Sequence, residues 1–392
     1  MLKQLTRVWL LVALFSTSLL AQNGLPASAY ITQAGLVIES SQQHIVHGNM
    51  TQFRHLKWRD DGQYLLFYSG NNQVNLYDAV NDQTVLLHAH STIFPADFIH
   101  HQAVIYGANP QPTTSHNAPA MSVTIYNHPL GGAAQAIGSI DVLVGCAGTF
   151  AFPMDAIYNN ETGFGGRSLV FAYSDYGLIY STSCDGVGVG LLNLTTQQTE
   201  VLGGSLTRAT LSPDRTRLAT FDEASGVLQV IHLGDRAVQT IPITHAPDQI
   251  AWNADGTALF YSARHFIGDP LPLSADEEAT LITKLGLPRD AIPQYQVSLR
   301  RVDLLGNETL LFQEPAWAIG GLNGHTRGVY FNLISNGESW VEALTNGTVD
   351  PLSGDSFMQA WHSVQISTLL IPEHGGNASL LINDAYQVTL RP

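Results

Sequence analysis

Charge is what this chain of 392 residues has least of: 12% are Asp, Glu, Lys or Arg, and lysine occurs three times, at Lys3, Lys57 and Lys284. Seventeen basic residues against 32 acidic ones leave a formal charge of -15. With no basic stripe, the electrostatic footprint that nucleic acid or an anionic lipid surface requires is missing. Cysteine is also scarce. Cys146 and Cys184 are the whole complement, and no histidines stand at zinc-ligand spacing beside them. The motifs of several chemistries are absent too: the nucleophile elbow G-x-S-x-G, the zinc-binding H-E-x-x-H and the EF-hand calcium loop. No cofactor is expected. Long apolar runs are missing as well; Val8 to Phe15 is uninterrupted but far short of the ~20 residues a spanning helix needs.

The N-terminus reads instead as a targeting segment. Lys3 and Arg7 form a basic start, Val8 to Leu20 an apolar stretch broken by Ser16, Thr17 and Ser18, and Ala27-Ser28-Ala29 a run of small residues. We read residues 1–29 as a signal peptide cut before Tyr30, with a cut after Ala21 as the competing site. Cleavage removes two positive charges and no acid. No cysteine follows the apolar stretch, which excludes a lipoprotein anchor. The mature chain is expected to be secreted or to sit in the cell envelope outside the cytoplasm, without a membrane span. In that setting an even pair of cysteines is most simply a disulfide, with two buried thiols as the other reading.

What the chain does have is turn-formers, 35 Gly and 18 Pro, among many short apolar stretches. One stretch repeats. Gln249 to Ser262 reads QIAWNADGTALFYS: an apolar strand, a tight turn, a second strand ending in aromatics. His55 to Ser69 repeats it around Gly62, Ala172 to Thr182 around Gly177, and Ala209 to Phe221 around Arg215 in place of glycine. Weaker copies turn near Gln102, Gly328 and Gly375. Most spacings between these turns lie near 40 residues, the period of propeller blades. Further strand candidates follow each copy, such as Val74 to Asp78 and Thr84 to His88. The spacing predicts an all-β chain: one domain over residues 30–392, a seven-bladed β-propeller of four-stranded blades. The last unit is one strand short, and the N-terminal strands Leu36 to Glu39 and His44 to His47 are expected to complete it, closing the ring.

The strand, Asp-Gly turn, strand unit, followed by segments such as LYDA at Leu76 to Ala79 and RRVDLLG at Arg300 to Gly306, resembles the WD40-like repeats of TolB-type β-propellers. The resemblance implies the fold. It departs from the family in lacking an N-terminal α/β domain, so a TolB-like partner role is not implied.

Successive strands alternate direction, so connections after a second or a fourth strand emerge on one face. Three long segments do so: Ala108 to Ala120, Asp141 to Gly166, and a helical insertion at residues 265–294. Ser274 and Glu277 there form a capping box, Gly286 ends the helix, and Leu281, Ile282 and Leu285 make an apolar stripe that docks the helix on the ring. Cys146 and Cys184 fall on this same face in adjoining blades. The opposite face carries tight turns. Trp58 and Trp252 recur before the turn, as packing between blades requires. The histidine pair His88 and His90 could share a metal, but hydrogen-bonded strand-end histidines are the commoner outcome, and no metal ligands are assigned.

Function is therefore expected on the insertion-bearing face, with His116, Tyr158, His265 and Phe266 as candidate binding residues and no catalytic residue. The reading is a non-catalytic exported propeller binding a protein, peptide or glycan. The alternative is a metal-assisted hydrolase or lyase working at the axial channel.

Overall fold

A computed structural model describes residues 27–39, 43–48, 54–70, 73–89, 94–115, 118–144, 152–162, 167, 169–351 and 362–392. Among the described residues, twenty-eight strands form seven antiparallel four-stranded sheets. The chain opens with β1 (Ser28–Thr32), β2 (Gly35–Glu39) and β3 (Gln43–His47). Six complete blades follow in chain order. They are β4 (Arg54–Trp58), β5 (Tyr64–Ser69), β6 (Gln73–Asp78) and β7 (Gln83–His88); then β8 (Asp97–Ile99), β9 (Ala103–Ser115), β10 (Ala118–Pro129) and β11 (Gln135–Leu143). Next come β12 (Phe171–Ser174), β13 (Gly177–Ser181), β14 (Val189–Leu192) and β15 (Thr199–Gly203); β16 (Leu206–Leu211), β17 (Arg217–Asp222), β18 (Val227–His232) and β19 (Val238–Ile241). The last two are β20 (Gln249–Trp252), β21 (Ala258–Phe266), β22 (Tyr295–Asp303) and β23 (Glu308–Pro315), and β24 (Ala318–His325), β25 (Gly328–Ile334), β26 (Ile366–Ile371) and β27 (Ser379–Asn383). The final strand, β28 (Tyr386–Leu390), joins β1, β2 and β3 as the innermost strand of the seventh blade.

Burial explains why the strands read differently in sequence. Second strands lie between neighbouring blades, so both of their faces are covered: Leu65, Leu66, Phe67 and Tyr68 of β5 are all buried. Such strands are continuous apolar runs rather than alternating ones. Outermost strands are the exposed ones, as β7 and β15 show. The repeated turn has one geometry. Gly62, Arg215 and Gly256 all adopt left-handed angles, φ +67°, +58° and +71°. Each donates its N–H three residues back, to the carbonyls of Arg59, Ser212 and Asn253. The matched tryptophans pack between blades as expected. Trp252 donates its indole N–H to the Thr210 carbonyl of the preceding blade at 3.1 Å, and Arg391 lies 5.7 Å from the centre of the Trp58 ring.

Two expectations change. The Gly375 turn joins β26 to β27, the third and fourth strands of a blade that already holds the Gly328 turn. An unrecognised insertion between β25 and β26 lengthens that blade, so its outer turn lands where a new blade was due. Seven blades remain because the seventh is shared between the chain ends. Ala108 to Ala120 is not a loop but the far part of the β9–β10 hairpin, paired up to Ser115 and Ala118. Ser28 and Ala29 belong to β1 and are 2% and 0% exposed. They pair with Leu390 and Thr389, and the Ala27 carbonyl accepts the Arg391 N–H at 2.7 Å.

Candidate functional site on the insertion-bearing face

Strand parity sends every connection after a second or fourth strand to one face, and the three described helices all lie in such connections. They are α1 (Pro153–Thr162) before β12, α2 (Ala275–Leu285) after β21, and α3 (Glu338–Thr345) after β25. Helix α2 starts where its sequence says. Ser274 Oγ accepts the Glu277 N–H at 3.3 Å and Glu277 Oε2 accepts the Ser274 N–H at 2.8 Å. It ends at Gly286 in a left-handed cap. Of the expected stripe, Leu281 is fully buried and Leu285 packs against the core, but Ile282 is 51% exposed. Lys284 donates to the Leu344 carbonyl, so a cation of α2 meets the C-terminal end of α3. Trp340, Val341 and Leu344 of α3 join Met154, Ile157 and Tyr158 of α1 in one buried cluster over the inner strands.

Arg264, at the end of β21, reaches α1 through Tyr158. Its guanidinium lies 4.5 Å from the Tyr158 ring centre and 4.8 Å from that of Tyr295. Asp248 Oδ2 approaches Arg264 Nε at 3.8 Å. Burial pushes the Asp248 carboxyl above the usual range, against the pull of Arg264 and Arg208. Burial likewise raises the Tyr158 hydroxyl. Arg208 reaches Glu223 at 2.9 Å, and Arg167 holds the same carboxylate through two nitrogens at 2.8 and 3.0 Å.

Three of the four sequence candidates, Tyr158, His265 and Phe266, lie on or next to these elements. Tyr158 is buried under Arg264, while Phe266 is 65% exposed and edges onto Tyr295 at 6.3 Å. His265 stacks on His245 at 6.1 Å and meets Gln296 Oε1 at 3.0 Å. His116 lies outside the described residues, as do Cys146 and His90. Arg264 and Asp248 escaped sequence reasoning. A charged residue directly after the apolar run of β21, in a chain so poor in charge, was the available signal.

Along α3 lies an open groove of about 500 Å³. One wall is a single face of α3, carrying Ser339, Glu342, Ala343 and Asn346 at helical spacing. The segment His362 to Gln365 forms a second wall, and Gln33 and Asp384, from turns of the two chain ends, close it. Burial holds the His362 imidazole below its ordinary pKa and the Asp384 carboxyl above its own. Asp384 sits at φ +55°, a left-handed angle uncommon outside glycine. Sequence reasoning missed this groove. The ESWVEALTN stretch with its helical apolar spacing was the one local clue.

On the plain face the charges serve each other. Arg215, in the turn of the fourth complete blade, donates to the carbonyls of Phe98 at 3.0 Å and Tyr173 at 3.2 Å. It also approaches Asp60, in the first complete blade, at 3.5 Å. Blades three apart in a ring of seven stand on opposite sides of the axis, so this guanidinium crosses it. Asp97, 1% exposed, accepts Lys57 at 2.6 Å and backbone N–H groups of Phe98 and Tyr173. His88 packs among aromatic rings, 5.1 Å from Tyr106 and 5.6 Å from Tyr126. Among the described residues, no three His, Cys, Asp or Glu side chains are placed to hold a metal ion. No described helix is long and apolar enough to cross a membrane.

No family model and no curated protein matches the chain. Solved structures similar to it include the β-propeller domain of Myceliophteria thermophila Cps50 (Swd1), at 11% identity and TM-score 0.41, covering 78% of this chain and 89% of that one. Another is the dihydro-heme d1 dehydrogenase NirN in complex with DHE, at 11% identity and TM-score 0.45, covering 93% of this chain and 75% of that one. At these values the likeness is one of fold and assigns no activity.

Proposed function

We propose that this chain is an exported, non-catalytic β-propeller that binds a protein, peptide or glycan through its insertion-bearing face. The observation that carries the reading is the polar groove of about 500 Å³ on that face, a volume within the range of small-ligand sites. Its hydroxyls, amides and carboxylates can orient a polar ligand, and Phe266 and His265 are exposed on the same face. On the plain face, Arg215, Asp60, Asp97 and Lys57 are engaged with one another. A TolB-type relationship remains a resemblance of the turn motif.

Glycan and peptide arrays probed with wild type, with Asn346→Trp in the groove and with Thr216→Trp on the plain face test the reading. Binding lost in the first variant and kept in the second supports it; the reverse pattern overturns it.

Two features of the exported form belong to the same proposal. Because Ser28 and Ala29 are buried strand residues, we place processing after Ala21. N-terminal sequencing of the exported protein should begin at Gln22, and a start at Tyr30 would contradict this. The proposed Cys146–Cys184 disulfide is supported by Leu143, whose N–H donates to Thr182 at 2.9 Å and whose carbonyl accepts the Cys184 N–H at 3.0 Å. That pairing brings the segment leading to Cys146 alongside Cys184. Intact mass should rise by two hydrogens on reduction.

A further inference from the structure

Ser262 Oγ, Arg264 Nη1, Trp317 Nε1 and Trp340 Nε1 are buried without a hydrogen-bond partner among the described residues. They belong to one region. Ser262 and Arg264 share with Phe260 the face of β21 that packs on the sixth complete blade. The Arg264 guanidinium lies 4.8 Å from the Tyr295 ring centre, and Tyr295 lies 5.1 Å from Trp317. Phe152 then links Trp317 at 5.8 Å to Trp340 at 6.1 Å. Ser262 and Trp317 are each 1% exposed, and polar groups so buried are rarely left unpaired in native proteins. Guanidinium and indole nitrogens only donate, and the serine hydroxyl can donate too. What the region lacks is an acceptor. Its charge agrees: Arg167, Arg208 and Arg264 stand against Glu223 and Asp248, one positive charge in excess within a chain of -15. Exposure rises along this face of β21 from Ser262 through Arg264, at 23%, to Phe266, at 65%, so the face opens to solvent at its insertion end.

We propose that this seam binds a carboxylate carried on an aromatic or apolar body, with the carboxylate accepting from Arg264 and its neighbouring donors and the body lying against Phe266 and Tyr295. This names a ligand chemistry for the insertion-bearing face and rests on that reading. Asp248 reaches only Arg264 Nε, at 3.8 Å, which leaves the rest of the fork to a second carboxylate. Paired N–H groups meeting a carboxylate form the stronger, charge-assisted kind of hydrogen bond. The rings of Tyr158 and Tyr295, 4.5 and 4.8 Å from the guanidinium, hold the fork in place before a ligand arrives.

Titration calorimetry of the exported chain tests this with phenylpropionate and acetyl-Gly-Gly-Phe, each as the free acid and as the C-terminal amide. At least one acid is expected to saturate wild type, with its amide at least about tenfold weaker. A chain of charge -15 repels anions in general, so saturation reports a specific site. Which acid binds separates a free organic acid from a peptide C-terminus as the source. Arg264→Gln is expected to weaken the acid at least about tenfold. Arg264→Lys keeps the charge but loses the planar fork and should weaken it less; it carries the test if Arg264→Gln fails to fold. Arg236→Gln, which removes the same charge from the plain face, should bind as wild type. Equal affinity for acid and amide, equal weakening by the Arg264 and Arg236 substitutions, or no saturable binding of either acid overturns the proposal. If Asn346→Trp blocks the acid and the Arg264 variants do not, the seam is wrong while the insertion-face reading stands. If Thr216→Trp alone blocks it, both fail.

Discussion

Arg215 occupies a backbone position that Gly62 and Gly256 occupy in the sister turns, at φ +58°. A non-glycine residue pays about 1–2 kcal/mol for that angle. The side chain offsets this by donating to two carbonyls of other blades, and hydrogen bonds to a charged group contribute about 1.5–3 kcal/mol each. Arg215→Gly therefore relieves the backbone yet is expected to lose about 2 kcal/mol in denaturant unfolding. A gain in stability would show that the cross-axis contacts are idle. Arginine in a glycine slot looks in sequence like a decayed repeat; only the distances to Phe98, Tyr173 and Asp60 reveal its role.

At the scale of the element, β4 carries a pH response. His55 is held at a pKa of about 4, first by burial and then by the Arg54 charge. Its neutral form is the folded form, while the unfolded chain takes up a proton near pH 6.5. The contribution to stability is complete above about pH 6.5, declines as pH falls toward 4, and changes no further below that. His55 has φ +57°, which Asn tolerates. His55→Asn should thus lose less melting temperature than wild type between pH 7 and 4. Parallel curves for the two proteins would remove His55 as the cause.

Element by element, legibility followed locality. The turns at Gly62 and Gly256 and the capping box of Ser274 and Glu277 are decided by neighbours in sequence, and they read correctly. The Gly375 turn misread because a glycine turn looks alike between any two antiparallel strands. The groove did not read at all, because Gln33 and Asp384 come together through ring closure. Tyr158, His265 and Phe266 were legible as insertion residues, whereas Arg264, which packs on Tyr158 and Tyr295, was hidden inside a strand.

For the whole molecule, the seventh blade makes the chain ends interdependent. Val388 and Leu390 of β28 pack with Tyr30 and Val37 of the N-terminal strands and with Tyr330 and Leu370 of the sixth complete blade. Leu390→Ala should cost about 2–4 kcal/mol. It should also speed amide exchange in β1, distant in sequence, along with β28. Loss of protection confined to β28 would show that the ring does not close through this pair.

The central claim is that ligand recognition belongs to the insertion-bearing face and its groove. Hydrogen–deuterium exchange of the protein saturated with the strongest array ligand tests this most directly. The account predicts slower exchange across residues 338–348 and 362–365, with the plain-face turns at 59–63, 212–216 and 253–257 unchanged. Slowing at those turns, with the groove unaffected, would contradict it.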